Sequence, residues 1–432
     1  MLFSRRWRNR IYLVLSLISI CYLLRTHLPS PPKWQNNNRT SRKAPRHDTQ
    51  ATPDFLYYSR FRQHPDLDFE AKLENALVTI ETTAPPLENV PVKKIWQTAR
   101  NKDERPEESR LWEEGHPDWE YEASSCIRRS ETSTSTSNAL DPQLVTDKNA
   151  LDLITNKLST VPMLATLWAS YPLPVLRADL LRYLLLWFYG GYYSDIDAFP
   201  VQSIESCAPL SPLFATSQNH NISLVVGVEI DEPYASPRTK KLWHWSRTYG
   251  FIQYNMFAPN RFSPFLRRAI VRALAHSKRH FADTGTWFSG PQYSEEDILE
   301  VTGPGMFTDA LLDVLSETLP RDHDLVTRSM AADEGIGRRE KPSNGFEDPR
   351  KAHRVTWAPF YALKNVIWID GTEFEGLGAE RVTSGGLVVL PINIWGNGQR
   401  HSGAEGFESA HACVNHRFGR TWKKGWWEYM VG

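Results

Sequence analysis

The sequence lacks an excess of charge of either sign, because its 50 lysines and arginines are matched by 50 aspartates and glutamates. Nucleic-acid-binding proteins normally carry a basic surplus or stripe, so this balance argues against that class. Cysteine is scarce as well, at four in 432 residues. Cys21 lies in an apolar N-terminal run. The others, Cys126, Cys207 and Cys413, allow at most one intramolecular disulfide and match no zinc spacing, which excludes a disulfide-rich scaffold.

Long apolar runs are also rare. The compact run from Ile11 to Leu24 is shorter than the roughly 20 residues that span a bilayer comfortably. Four arginines precede it and one follows, which favours a cytoplasmic N-terminus and a luminal remainder. We expect residues 1–28 to form a cytoplasmic tail and signal anchor. A cleaved signal peptide is the alternative, although no small-x-small cleavage site follows.

The polar stretch after this run cannot bury enough apolar surface to fold by itself, so residues 29–89 are predicted as a stem and residues 90–432 as the globular domain. Two N-x-S/T acceptor sites, at Asn38 and Asn221, agree with a luminal location. A short anchor, a stem and a luminal domain together indicate a Golgi-type enzyme.

Apolar periodicity beyond residue 90 predicts an α/β fold. Residues 176–189 repeat leucine and tryptophan at spacings of three and four, which predicts an amphipathic helix ended by Gly190 and Gly191. Strands are predicted at "VPVKKIWQT", "YYSDID", "ISLVVGVEI", "NVIWID" and "GLVVLPINIW", with helical patterns between them. This alternation is typical of helices packed on a sheet.

Asp195 and Asp197 stand at the end of the predicted "YYSDID" strand. In an extended segment they would point to the same side, where their charges repel unless water or a cation separates them. Mg²⁺ and Mn²⁺ sites often combine one or two carboxylates with substrate phosphates, but a solvated turn is the alternative. Asp179 and Arg182 share a helix face and are expected either at the same cleft or in a surface ion pair.

The stretch "RADLLRYLLLWFYGGYYSDID" resembles the signature, ending in G-G-x-Y-x-D-x-D, of sugar-nucleotide glycosyltransferases with the DXD motif. More closely, the chain resembles glycosyltransferase family 32, the fungal initiation-specific α-1,6-mannosyltransferase group. "KKIWQT", "TGPGMFTDAL" and "VNHRFGRTWKKGW" agree, so the resemblance extends from about residue 90 almost to the C-terminus. Arg420–Thr421 and the Ser/Thr-rich loop 130–137 depart from the family pattern and leave acceptor choice open.

The resemblance implies a GT-A-like nucleotide-sugar-binding domain, which is a Rossmann-like mixed sheet flanked by helices. Asp195 and Asp197 would hold Mn(II), with Mg(II) as the alternative. His416 would be a further metal or phosphate ligand, although a lone histidine in a loop can equally be structural. His401 is a weaker candidate for that place.

The catalytic set implied by the resemblance adds Asp179 and Arg182 to the two aspartates, as contacts to the sugar of the donor. Arg177 would help to neutralise its phosphate. Thr98 would lie at the nucleotide pocket, at the carboxyl end of a strand where α/β sheets usually bind ligands.

Two further segments complete the expected site. Thr302, Gly303 and Gly305 resemble a donor-binding or acceptor-side loop in which glycine permits close backbone approach. Glu229 and Asp231 follow a strand and are expected to line the acceptor site, with plain solvation as the alternative.

The implied reaction is transfer of mannose from GDP-mannose to high-mannose N-linked glycans of glycoproteins in α-1,6 linkage, the step that begins the outer chain of fungal cell-wall mannan. The family is retaining, and metal would stabilise the departing diphosphate. The expected location is the Golgi membrane, as a single-pass type II protein. The alternatives are an inositol phosphoceramide mannosyltransferase with a glycolipid acceptor, and a non-catalytic subunit of a mannosyltransferase complex that polymerises mannan.

Overall fold

A computed structural model describes Phe61 and residues 65–85, 91–99, 107–125, 147–215, 221–285, 290–335, 355–374 and 385–418. The predicted anchor, Asn38, Cys126, the Ser/Thr-rich loop 130–137 and Arg420–Thr421 lie outside these residues. Within the described ranges, no helix combines the length and the apolar character needed to cross a membrane.

The elements follow the predicted alternation of helices and strands. The helices are α1 (Leu67–Thr83), α2 (Glu107–Gly115), α3 (Asp147–Asp152), α4 (Leu164–Ser170), α5 (Pro174–Tyr189), α6 (Pro237–Trp243), α7 (Pro264–Thr284), α8 (Glu295–Val301), α9 (Pro304–Thr318), α10 (Asp324–Gly335) and α11 (Ile392–Trp395). The strands are β1 (Lys94–Ala99), β2 (Glu120–Ser125), β3 (Gly191–Ser194), β4 (Ala198–Pro200), β5 (Ile222–Asp231), β6 (Tyr249–Phe251), β7 (Asn255–Ala258), β8 (Ile367–Ile369), β9 (Gly386–Leu390) and β10 (Val414–His416).

The main sheet is mixed and has the strand order β2-β1-β3-β7-β5-β9-β8, with β6 paired to β5. β1 is parallel to β2 and β3, and β5 is parallel to β9. β7 runs antiparallel to both β3 and β5. Strands β1, β3, β5 and β9 therefore end at the same edge of the sheet. This confirms a mixed α/β fold with a central sheet flanked by helices.

Helix α5 is the central helix of this fold. Pro174 opens it at a position that needs no backbone donor, and Gly190 closes it with φ of 75°, a left-handed conformation that favours glycine. The predicted amphipathic character is wrong, because both the apolar face and the polar residues are covered. Its buried residues are Leu176, Asp179, Leu180, Leu181, Arg182, Tyr183, Leu184, Leu185, Leu186 and Trp187.

Helix α1 lies in the segment predicted as stem, yet it is part of the core. Phe69, Leu73 and Leu77 are buried in the main hydrophobic cluster. Buried ion pairs join this helix to α7, with Glu70 at 2.7 Å from Arg272 and Glu81 at 2.7 Å from Arg267. The folded part therefore begins before residue 90, and the predicted boundary is corrected to residue 67 or earlier.

A small second sheet lies beside the main one, where β10 pairs antiparallel with β4. The Cys207–Cys413 disulfide joins the segment after β4 to the residue before β10. The sequence allows one disulfide among Cys126, Cys207 and Cys413, and the structure forms it between Cys207 and Cys413. The disulfide and the strand pairing together fix the C-terminal segment against the loop that contains Asp197.

Candidate metal and donor site

The carboxyl edge of the sheet collects the polar residues singled out in the sequence. Thr98 is near the end of β1, Asp195 directly follows β3, and Glu229 is near the end of β5. Strands β1, β3 and β5 point the same way, so these three side chains meet at the edge where α/β sheets usually bind ligands.

Asp195 and Asp197 lie in a tight turn between β3 and β4, and the expected extended conformation is wrong. The backbone N–H of Ala198 donates to the carbonyl oxygen of Asp195 at 3.0 Å and closes the turn. The N–H of Asp195 donates to the carbonyl oxygen of Tyr254 at 2.8 Å. The turn, and not the alternation of side chains along a strand, therefore brings both carboxylates to one side.

His416 completes a group of possible metal ligands with these two aspartates. One ligand atom from each of the three residues lies within 4.8 Å of the others. His416 Nε2 is 3.0 Å from Asp197 Oδ1, and its ring stacks on Tyr254 at a centroid distance of 4.1 Å. His416 Nδ1 is buried without a hydrogen-bond partner in the described part of the chain. Two carboxylates and an imidazole are a donor set that fits a divalent cation.

Arg182 connects Asp179, its ion-pair partner on α5, to Asp195 in the group of possible metal ligands. Its guanidinium lies 3.0 Å from Asp179 and 3.3 Å from Asp195, so one arginine is shared by two carboxylates. Asp179 also accepts a hydrogen bond from Gln253 at 3.2 Å. The predicted i,i+3 pair is thus confirmed as an ion pair, but it is buried in the site and not on the surface.

Burial controls the ionisation of the two carboxylates that contact Arg182. It raises the pKa of Asp179 to about 6, although Arg182 and the Thr302 hydroxyl favour the charged form. Burial also raises the pKa of Asp195, against the opposing effect of Arg182. Carboxylates held near a shared guanidinium in a desolvated site gain strongly from any further positive charge.

Thr98 reaches the site through Tyr193, which the sequence reasoning did not single out. Tyr193 donates a hydrogen bond to Asp195 Oδ1 at 2.7 Å, and its hydroxyl is 2.8 Å from Thr98 Oγ1. Gln97 donates to the carbonyl oxygen of Asp195 at 3.2 Å. Tyr193 stands two residues before Asp195, so its place inside the motif was an available signal.

Arg177 is placed differently from the expectation. Its guanidinium donates to the carbonyl oxygens of Trp168 at 3.3 Å and Tyr171 at 2.7 Å, where it ties the start of α5 to the end of α4. These contacts give Arg177 a structural role, and a contact with donor phosphate stays a prediction.

Thr302 does belong to the site, whereas the two glycines near it are explained by packing. Thr302 Oγ1 donates to Asp179 Oδ2 at 2.9 Å. A Cβ on Gly303 would lie 2.7 Å from Leu299 Cα, and one on Gly305 would lie 2.6 Å from a carboxylate oxygen of Glu300. The chain passes close to its own preceding helix at Gly303, which accounts for glycine there. A role for the two glycines in binding donor or acceptor stays a prediction.

Glu229 faces the same group from β5. Burial raises its pKa to about 7, with His416 and Arg182 favouring the charged form and Asp195 opposing it. No group in the described residues donates a hydrogen bond to its carboxylate. Asp231 is different, because its Oδ2 accepts from the backbone of Ala362 at 2.7 Å while its Oδ1 is buried without a partner in that part of the chain.

The structure separates the two histidine candidates. His416 lies with the aspartates, and His401 packs edge-on against Trp243 and Trp245. Asn221, the described glycosylation candidate, is half-buried at the start of β5, opposite the carboxyl edge. Its glycosylation stays a prediction.

The family described as "glycosyltransferase sugar-binding region containing DXD motif" matches residues 105–214, which include Asp179, Arg182 and both aspartates of the motif. His416 lies outside this match.

Two curated relatives are initiation-specific α-1,6-mannosyltransferases. The protein from Schizosaccharomyces pombe is 25% identical over 383 residues, covering 85% of this chain and 73% of its own. That from Candida albicans is 25% identical over 341 residues, covering 77% and 72%. Among solved structures, the PaToxG glycosyltransferase aligns with a TM-score of 0.30 and 15% identity, over 66% of this chain and 94% of that one.

Proposed function

We propose that this chain, a DXD-motif glycosyltransferase related to the fungal initiation-specific α-1,6-mannosyltransferases, transfers mannose from GDP-mannose to high-mannose N-linked glycans in α-1,6 linkage. The reaction is metal-dependent and retains the configuration at the transferred sugar. The domain is GT-A-like, and the chain works in the Golgi lumen behind a type II anchor formed by residues 1–28.

The observation that carries this proposal is the convergence of Asp195, Asp197 and His416 at the carboxyl edge of the sheet. The two aspartates are inside the matched sugar-binding region. Their neighbours Arg182 and Tyr193 are donors suited to hold a carboxylate in place. This arrangement supports a nucleotide-sugar site better than it supports a purely structural ion pair.

In the proposed reaction the side chains of this edge bind and orient the donor. Asp195, Asp197 and His416 would hold a divalent ion, Mn(II) or else Mg(II), which when bound supplies Lewis-acid stabilisation of the leaving diphosphate. Arg182 is held by Asp179, and we assign its guanidinium to contact with the donor sugar. Asp179 is committed to Arg182 and Thr302, so it is a poor nucleophile. We therefore favour attack from the face that the diphosphate leaves, without a glycosyl-enzyme intermediate.

The test uses the chain from residue 48 onward, incubated with Mn(II), a panel of nucleotide sugars and a high-mannose N-glycan. We expect one hexose to be added from GDP-mannose, detected by mass spectrometry and removed by an α-1,6-specific mannosidase. Asp195→Ala and Asp197→Ala should each abolish transfer. Asp197→Ala, which leaves both carboxylate partners of Arg182 in place, should also keep the wild-type melting temperature within a few degrees. Exposed Asp118→Ala is the matched control.

Other outcomes redirect the proposal. Transfer to inositol phosphoceramide in place of the N-glycan would make a glycolipid the acceptor. A folded protein that neither binds nucleotide nor turns over the donor would indicate a non-catalytic subunit. Wild-type turnover in both aspartate variants would overturn the metal site.

A further inference from the structure

Beyond Glu229, the last residues of β5 are covered by one short segment, Gln399–Ser402. Gln399 Nε2 donates to the carbonyl oxygen of Glu229 at 2.6 Å. Further along, the N–H of Asp231 donates to Ser402 Oγ at 2.9 Å, and the N–H of Ser402 donates to Glu232 at 2.8 Å. The segment therefore runs along the strand end, away from the metal-ligand group.

Three aromatic rings lie near the Ser402 end of this segment. The indoles of Trp243 and Trp245 are stacked, with centroids 5.8 Å apart and planes 12° from parallel. The His401 ring meets both edge-on, at 5.2 Å from Trp243 and 4.8 Å from Trp245. All three residues are half-buried, and neighbouring Leu242 is 74% exposed.

This aromatic cluster of Trp243, Trp245 and His401 is not needed to complete the core. Neither tryptophan belongs to the two hydrophobic clusters of the described residues or packs against them as a peripheral member. Helix α6, which ends at Trp243, buries none of its residues. Large amphipathic rings kept partly open to solvent outside the core are typical of binding surfaces.

The Gln399–Ser402 segment, which contains His401, connects the aromatic cluster to Glu229. Glu232, whose carboxylate accepts from Ser402 next to His401, is three positions along the chain from Glu229, roughly 10 Å at the usual strand rise. An oligosaccharide spans that length, whereas a single sugar does not. Flat indoles suit the apolar C–H face of a pyranose, and the carboxylate of Glu229 suits its hydroxyl groups.

We propose that the cluster of Trp243, Trp245 and His401 is an acceptor subsite that binds a distal sugar ring of the oligosaccharide, while Glu229 contacts the sugar nearer the metal. This inference rests on the proposed glycosyltransferase function and adds to it the place and the chemistry of acceptor recognition. The acceptor thus lies along the strand end from the aromatic cluster to the carboxylates of the donor site.

The experiment measures binding and turnover separately in the full chain. The probes are a free high-mannose oligosaccharide and methyl α-mannoside, with binding followed by calorimetry. Trp243→Ala and Trp245→Ala should each weaken oligosaccharide binding about tenfold, a factor that corresponds to about 1.4 kcal/mol. Acceptor KM should rise equally, while donor KM, donor hydrolysis and reaction with methyl α-mannoside stay unchanged.

Matched variants make the result specific. Leu242→Ala removes a neighbouring exposed apolar side chain and should change nothing, and Trp243→Phe should recover most of the binding. Each variant is compared with the wild type by thermal melting. A variant that melts far below the wild type is replaced by its phenylalanine counterpart.

Four outcomes are distinguishable. Selective loss of oligosaccharide affinity in the alanine variants supports the subsite. Unchanged affinity in both, or equal loss in Leu242→Ala, overturns it. Donor hydrolysis with no oligosaccharide binding also overturns it and leaves the glycosyltransferase function intact. Tryptophan-dependent oligosaccharide binding without donor hydrolysis supports the subsite and counts against the proposed function.

Discussion

Asp195 is the residue on which most contacts of the site converge. Its Oδ1 accepts from Tyr193 at 2.7 Å and lies 3.3 Å from Arg182, while its backbone N–H is bound by Tyr254. These contacts fix the orientation of the carboxylate before any ligand arrives. A preorganised carboxylate costs little to position when a cation binds.

At the residue scale, Asp179 is the partner whose loss should be most damaging to Arg182. Asp179 is 1% exposed. Asp179→Ala therefore leaves the buried guanidinium of Arg182 with one of its two carboxylate partners. We expect the free energy of unfolding to fall by about 3–5 kcal/mol, measured by urea denaturation. Exposed Asp118→Ala should stay within about 0.5 kcal/mol of the wild type. A similar small change in Asp179→Ala would mean that this ion pair is not formed.

Glu229 should give the metal-free protein a pH-dependent stability. Its pKa is raised from 4.5 to about 7, chiefly by burial. The folded state therefore holds the proton where the unfolded state has released it. The stabilising contribution is complete below pH 4.5 and is lost as the pH rises through 7.

The free energy of unfolding is expected to fall by at most about 1.4 kcal/mol per pH unit, because one proton is involved. It is measured with a chelator present, as the difference in unfolding free energy between wild type and Glu229→Gln. Taking the difference removes the effects of Asp179 and Asp231, whose pKa values are also raised. Parallel pH profiles for the two proteins would contradict the prediction.

At the scale of elements, β10 is a three-residue strand that supplies His416. So short a strand has little stability by itself. It is held by its pairing with β4 and by the Cys207–Cys413 disulfide, which closes a separation of 206 residues. The disulfide therefore supports the metal-ligand group as well as the fold.

Replacing both cysteines by serine should lower the unfolding free energy by about 2–5 kcal/mol. It should also weaken Mn(II) binding several-fold, as measured by electron paramagnetic resonance, because β10 is freed from the Asp197 loop. Ala208→Ser, an exposed change next to Cys207, is the control. If stability falls but Mn(II) affinity does not, the disulfide supports the fold without positioning His416.

At the scale of the whole molecule, α1 acts as part of the core although it precedes the predicted domain. Glu81 accepts from Arg267 and from the indole of Trp187 at 3.0 Å, which links α1 to both α7 and α5. Removal of α1 would expose the apolar surface under Phe69 and strip partners from two buried arginines of α7.

A chain that begins at residue 90 should therefore fail to fold, whereas one that begins at residue 48 should melt cooperatively. Arg267 would lose both of its carboxylate partners, Glu74 and Glu81, and an unpaired buried charge costs about 3–5 kcal/mol. Arg272 would keep only Asp313, at 3.2 Å. Together with the exposed apolar surface, this loss approaches the 5–15 kcal/mol stability of an ordinary domain. Circular dichroism melts of the two chains measure this difference. A cooperative transition in the shorter chain would restore the predicted boundary.

The sequence by itself determined the parts of this protein that depend on local spacing. Periodicity located α5, the glycines predicted its end, and the motif placed Asp179, Arg182, Asp195 and Asp197 in one short stretch. Those inferences hold because helix turns and strand ends are set by neighbours in the chain. The resemblance implied a mixed sheet, but local patterns do not predict the strand order, since antiparallel β7 inserts between parallel strands only through long-range pairing.

Only the tertiary structure decided which distant residues join that stretch. His416 is 219 residues from Asp197. The family-like stretch around His416 favours it over His401, but no local pattern places either histidine beside the two aspartates. The choice between them depends on the disulfide and on the pairing of β10 with β4. The role of α1 likewise depends on where Glu70 and Glu81 find arginines across the core. These contacts form between residues that are far apart in the chain, so composition and periodicity do not predict them.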